Sequence, residues 1–149
     1  MSAAIGSFHH VGIVVQRLAE AEEFVTSALG LPAVKRLDAG KIGLQMVFFD
    51  CGPALVELIE FANPELAKQR IGDRAAVIDH VAFAVADLDH AKDVLAGKGV
   101  LTAQAEPLVT PLGRSHFTQP ETSAGVVWQL LELADGAFPP PGDATSSDG

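Results

Sequence analysis

Apolar residues change their spacing partway along this chain, and the same change recurs seventy positions later. From Phe8 the run FHHVGIVV is apolar except for its histidines, as expected of a strand with little solvent exposure. From Leu18 the period lengthens to that of a helix, with Leu18, Ala21, Phe24, Val25 and Leu29 on one stripe. IDHVAFAV, opening at Ile78, and the stripe Leu88, Ala91, Val94 and Leu95 repeat both features, with Asp87 and Asp89 as candidate caps at the second helix start. FHHVGIVVQRLAEAEEF aligns with IDHVAFAVADLDHAKDV without a gap, which sets His10 against His80. Further on, ALVELIE from Ala54 aligns with VVWQLLE from Val126 and sets Glu57 against Gln129.

Two matches in the same order predict an internal duplication. Module one spans about 6–62, a linker about 63–76 and module two about 77–134, together forming one domain over 1–134. Further strands are expected around Val34–Leu37 and Leu44–Phe49, with Asp38 to Lys41 as the turn, and at Leu101–Ala105 and Arg114–Thr118 in the second copy. Each module then reads βαβββ, an α+β class. Pro64 after Asn63 predicts a short helix in the linker. The tail 135–149, rich in Pro, Gly, Ser and Asp, is expected to be disordered beyond roughly Phe138.

Polar residues inside apolar strands carry the chemistry. Strand alternation puts His10 on the face of Phe8, Gly12 and Val14, and His9 on the face of Val11 and Ile13, so only one of the two histidines should enter the interior. The repeat selects His10, because His9 matches Asp79 whereas His10 matches His80. His9 is left to solvent or a local hydrogen bond. Glu57, among Leu55, Val56, Leu58 and Ile59, is an ionised group in surroundings that cost several kcal/mol unless a cation or donors compensate. Glu60 faces the other way, and the same parity separates Gln129 from Glu132. His10, Glu57, His80 and Gln129 form a set of N and O donors suited to one divalent ion: Zn²⁺, Ni²⁺, Co²⁺, Mn²⁺ or Fe²⁺.

The net charge of −9 leaves no basic stripe for phosphates, which argues against nucleic acid and against an anionic membrane surface. The start, MSAAIGSFHHVG, has neither a basic stretch nor a long apolar one, so a cytoplasmic location is expected. A single cysteine, Cys51 in an apolar run, permits no internal disulfide and reads as a buried thiol. No GxGxxG after a strand and no GxxxxGK[ST] loop supports hydride or phosphoryl transfer.

HHVGIVV, ALGLP, ALVELIE, DHVAFAV and FTQPETSAGVVWQLLE resemble the vicinal oxygen chelate (glyoxalase/bleomycin resistance/dioxygenase) superfamily, and most nearly its methylmalonyl-CoA epimerase-like members. The resemblance covers about Phe8 to Leu133. It implies an open, incomplete β-barrel around a central metal pocket, a homodimer, a small-molecule substrate, and metal ligands at His10, Glu57, His80 and Gln129. In the epimerases the fourth ligand is typically Glu, and a second Glu, at the position of Gln45 here, exchanges the proton. An amide cannot take a proton from carbon. Glu57 and His116 are then the candidate bases, with Gln45 a candidate for orienting substrate. The expected function is a metal-dependent isomerase, epimerase or lyase that transfers a proton next to a carbonyl on an oxo acid or acyl thioester. The alternatives are a non-catalytic drug-sequestering protein of the same fold and an iron-dependent oxygenase.

Overall fold

The computed structural model describes residues 4–138. The first module runs β1 (Ser7–Val15), α1 (Leu18–Ser27), β2 (Ala33–Ala39), β3 (Leu44–Asp50) and β4 (Leu55–Phe61). Helix α2 (Pro64–Ile71) joins it to β5 (Ala76–Ala84), α3 (Leu88–Ala96), β6 (Leu108–Thr110), β7 (Gly113–Phe117) and β8 (Trp128–Leu133). The eight strands form one sheet in the order β2-β3-β4-β1-β5-β8-β7-β6. Its edges, β2 and β6, do not pair, so the barrel is nearly closed with one unsealed seam. The order is palindromic about the antiparallel β1/β5 joint, each half being one copy of the repeat.

Inner and outer faces separate cleanly. Inside lie Val14, Met46, Phe48 and Ile59, closed at one end by Ile71 of α2. Outside, Leu18 and Val25 of α1 pack on Val47, Phe49 and Leu58, and Leu88 and Ala91 of α3 pack on Leu130. Phe24 and Leu29, expected on the first helical stripe, are exposed, since α1 ends at Ser27 and offers the sheet only a narrow strip. α2 begins as its sequence predicts: Asn63 Oδ1 accepts the Glu65 amide proton at 2.9 Å, ahead of Pro64 in the first turn. Asp87 caps α3 through the His90 N–H at 3.0 Å.

α1 has no side-chain cap at Arg17; instead Glu60 of β4 accepts the Leu18 N–H at 3.3 Å. Glu132 of β8 does the same for Leu88 at 2.8 Å. These carboxylates, read from sequence only as facing away from the interior, stitch each helix to the last strand of its own module. A carboxylate on a helix N-terminus also suits the helix dipole.

Two expectations need correction. Leu101–Ala105 forms no strand, only an isolated bridge between Thr102 and Thr118, and the ladder resumes at β6. Thr102 Oγ1 donates to the Gln104 carbonyl, a local bond that competes with strand pairing, and Pro107 supplies no N–H. Cys51 is exposed because the Gly52-Pro53 turn ends the apolar run just beyond it. At the tail, residues 135–138 make a turn in which Ala137 is buried and Phe138 packs against His9 and Phe48. The tail beyond Phe138, expected to be disordered, lies outside the described residues. Among the described residues no helix is long and apolar enough to cross a membrane.

Candidate metal centre

The β1/β5 joint brings the polar residues of the two modules together. Pairing aligns Glu57 of β4, Gly12 of β1 and His80 of β5 in one row, and His10 of β1, Ala82 of β5 and Gln129 of β8 in another. The two rows are copies of one arrangement, with a small residue between two polar ones. Gly12 is required: a Cβ there would lie 2.1 Å from Cε1 and 2.3 Å from Nε2 of His80. Sequence reading passed over Gly12 and Ala82, although each stands two positions after its histidine.

All four side chains are buried. Glu57 Oε1 lies 3.3 Å from His10 Nε2 and 3.2 Å from His80 Nε2, and the two Nε2 atoms are 3.3 Å apart. Three donor atoms thus converge on one point, as a metal-binding trio would. Gln129 adds the most telling observation. Its Oε1 is buried and has no hydrogen-bond partner, an arrangement that costs about 1–3 kcal/mol when nothing else satisfies the oxygen. A cation among these donors would satisfy it, so the residues fit a divalent ion.

Burial alone would raise the Glu57 pKa, but hydrogen bonds and charge from His10 and His80 outweigh it and hold the carboxyl down at about 2. Burial would lower that of His80, yet Asp79 and Glu57 carry it up to about 9. Phe48 and Phe117 meet the His10 and His80 rings edge-on, with centroids 5.3 and 5.4 Å away, and wall the cluster from both modules.

Behind the ligands, the structure departs from simple alternation. His9 is half-buried, with its Nδ1 2.7 Å from His10 Nδ1, and Asp79 Oδ2 accepts from His80 Nδ1 at 2.9 Å. The local hydrogen bond expected of His9 is present and His10 alone of the two histidines enters the trio, but Phe8, expected on the face of His10, is exposed. The departure comes from a register shift at each place: Phe8 pairs with Phe83 and His10 with Ala82, skipping His9, while Gly12 pairs with His80 and Ile13 with Ile78, skipping Asp79. Burial, followed by the neighbouring His10, pushes the His9 pKa down to about 4. Arg70 of α2 donates to Asp79 Oδ1 at 3.1 Å.

Two of the predicted catalytic residues are not brought here. Gln45 pairs with Glu60, on the α1 side of the sheet, whereas Leu44, Met46 and Phe48 are the residues of β3 that pack in the interior. His116 pairs with Leu130 outside the trio, yet it reaches the lining of a cavity beside His80; burial, together with Lys92 of α3, lowers its pKa. Gln45 lies one position out of phase with the interior. Glu57 alone of the proposed catalytic residues is in the cluster.

A cavity of about 250 Å³ opens beside His80, which is the one candidate ligand that lines it. Leu44, Ile59, Phe61 and Phe117 form an apolar wall, and Arg70, Asp79 and Glu106 carry charge on its lining.

Residues 7–130 match the model of the Glyoxalase/Bleomycin resistance protein/Dioxygenase superfamily. The Bacillus subtilis (strain 168) protein YwkD, itself uncharacterised, is 31% identical over 116 residues, covering 75% of this chain and 85% of that one. Methylmalonyl-CoA epimerase from Mycobacterium tuberculosis superposes with a TM-score of 0.80 at 24% identity, over 90% of this chain and 93% of its own. A Streptomyces coelicolor methylmalonyl-CoA epimerase variant, in complex with 2-nitronate-propionyl-CoA, gives a TM-score of 0.79 at 21% identity, over 88% and 99%. A hypothetical protein from Bacillus halodurans C-125 gives 0.79 at 23% identity, over 87% and 95%. At these identities the structural matches establish a shared fold.

Proposed function

Because the chain belongs to the Glyoxalase/Bleomycin resistance protein/Dioxygenase superfamily, we propose that it is a divalent-metal-dependent isomerase or lyase. In this reading it moves a proton next to a carbonyl on a small oxo-acid or acyl-thioester substrate. The observation that carries the proposal is the convergence of His10, Glu57 and His80 in a buried pocket where the Gln129 carbonyl oxygen is left without a partner. His10, Glu57, His80 and Gln129 would hold the ion, and a bound ion would supply Lewis-acid polarisation of the substrate carbonyl.

The chain's own residues do the rest. The apolar wall beside His80 takes the carbon skeleton of the substrate and directs its oxygens toward the cluster. Phe48 and Phe117 exclude water, which strengthens each electrostatic contact within. Glu57, which would have to loosen from the ion, and His116, which lines the cavity beside His80, are the groups able to take and return the proton, while Gln45 has no titratable group. The acyl-thioester class is drawn from the epimerases of like fold, one of which is described in complex with methylmalonyl-CoA and ammonium. A second reading, a non-catalytic cavity that captures a small molecule, draws support from the apolar inner residues of β3, where no side chain can exchange a proton.

Deuterium exchange separates the two. Protein loaded in turn with Zn²⁺, Ni²⁺, Co²⁺, Mn²⁺ and Fe²⁺ is incubated in D₂O with 2-oxo acids and acyl thioesters. Exchange that is metal-dependent and abolished in Glu57→Gln supports the enzyme. Binding without exchange across the panel favours the capturing cavity, and failure to retain any of the ions removes the metal site altogether.

A further inference from the structure

The bulges behind the two histidine ligands carry a second inference, which rests on the metal-site reading. His9 and Asp79 occupy equivalent places in the two modules, each immediately before a ligand histidine. Each is the residue skipped by the β1/β5 ladder, so each is an extra residue in its strand. A bulge re-aims side chains, and here it brings two consecutive residues into one hydrogen-bonded pair where regular alternation would hold them apart. Neither His9 nor Asp79 belongs to the converging trio, yet each contacts the far ring nitrogen of a ligand.

We propose that His9 and Asp79 are positioning residues that fix the tautomer and ring orientation of His10 and His80, and that they make the two histidines unequal ligands. His80 turns Nε2 toward Glu57, so its proton belongs on Nδ1, where it is donated to Asp79 Oδ2. Asp79 is itself held by the Arg70 guanidinium from α2. His10 likewise turns Nε2 inward and donates from Nδ1, but its acceptor is the Nδ1 of a second imidazole, steadied by the Phe138 ring with centroids 5.0 Å apart. A carboxylate acceptor gives a charge-assisted hydrogen bond, roughly twice as strong as a neutral one, and raises the basicity of the imidazole that donates to it. His80 is therefore the firmer ligand and His10 the more replaceable.

Full-length protein is tested with Co²⁺, which reports both affinity and geometry through its visible absorption. Dissociation constants come from competition with a chelator, for unaltered protein and for Asp79→Leu, Asp79→Asn and His9→Leu, with Glu60→Ala as a distant control. Loss of a partner behind a metal ligand weakens binding by roughly 10–100-fold. Asp79→Leu is expected near the upper end and His9→Leu near the lower, both with shifted Co²⁺ bands, while Glu60→Ala leaves affinity and spectrum unchanged. Asp79→Asn keeps an acceptor oxygen but loses the charge, so its affinity should fall between those of Asp79→Leu and unaltered protein. This keeps the question open to refutation even where Asp79→Leu fails to fold, because an Asn variant as impaired as an unfolded one overturns the proposal. So do Co²⁺ affinities within about twofold of unaltered protein in both Leu variants, with unchanged spectra. If the unaltered chain takes up no Co²⁺, the metal-site reading fails and this proposal with it.

Discussion

Substituting Gly12 by alanine tests the cluster without touching any ligand. The added Cβ would stand 2.1 Å from His80 Cε1 and 2.7 Å from its Nδ1. Carbon atoms settle at about 3.5–4.0 Å, so the imidazole would have to retreat by roughly 1.4 Å. It cannot swing freely, because Phe117 meets its face and Asp79 holds its Nδ1. Metal–ligand distances tolerate only about ±0.2 Å, so a displacement several times larger removes His80 from the set. Metal affinity should then fall at least as far as on loss of a supporting group, about 10–100-fold. Overpacking should also cost about 1–3 kcal/mol in metal-free protein. Isothermal titration with Zn²⁺ reads the first effect and urea denaturation with chelator the second. Combining Gly12→Ala with His80→Ala should restore stability, because the clash is gone, but not metal binding. A Gly12→Ala protein that binds one Zn²⁺ per chain as tightly as the unaltered protein would refute the reasoning.

Gln129→Leu should act in opposite directions on the two states. Metal-free protein gains about 1–3 kcal/mol through loss of an unpaired buried carbonyl, while metal affinity falls; thermal melts with chelator and with metal check both. Metal binding should strengthen with pH by about tenfold per unit up to about 9, because the ion must displace the His80 proton, and a flat profile in chelator competition at pH 6, 7 and 8 would contradict this. By the same linkage, with the folded-state pKa raised, the stability contributed by His80 in metal-free protein is fully present below 6.5 and is lost as pH rises toward about 9. Glu60→Ala should destabilise α1 by about 1 kcal/mol, read as a lower urea midpoint, with metal content unaltered.

The duplication and the ligand set were legible because both depend on side chains that contradict their surroundings. A histidine or glutamate in an apolar strand stands out, and its recurrence at matched positions points inward. Gln45 falls on the outer face: resemblance fixes a strand more securely than a phase, and one position of slip exchanges the two faces of a sheet. His9 and Asp79 were missed for the converse reason: parity assumes an unbroken ladder, and a bulge leaves no local mark in a strand of ordinary composition. Its trace lies only in the comparison of the copies, where a polar residue precedes the ligand histidine in both. Gly12 and Ala82 carried a clearer signal, as small residues two places beyond each histidine.

The palindromic strand order gives the site a history as well as a shape. The two rows share one pairing arrangement, each drawing on β1, β5 and one flanking strand, so neither module holds more than half of the candidate donors. A solitary ancestral module could have completed such a pocket only by pairing its first strand with that of an identical copy, obliging both halves to carry the same residues. Two copies in one chain carry no such obligation. The pairs Glu57 with Gln129 and His9 with Asp79 give the two sides of the cluster different chemistry on one shared framework.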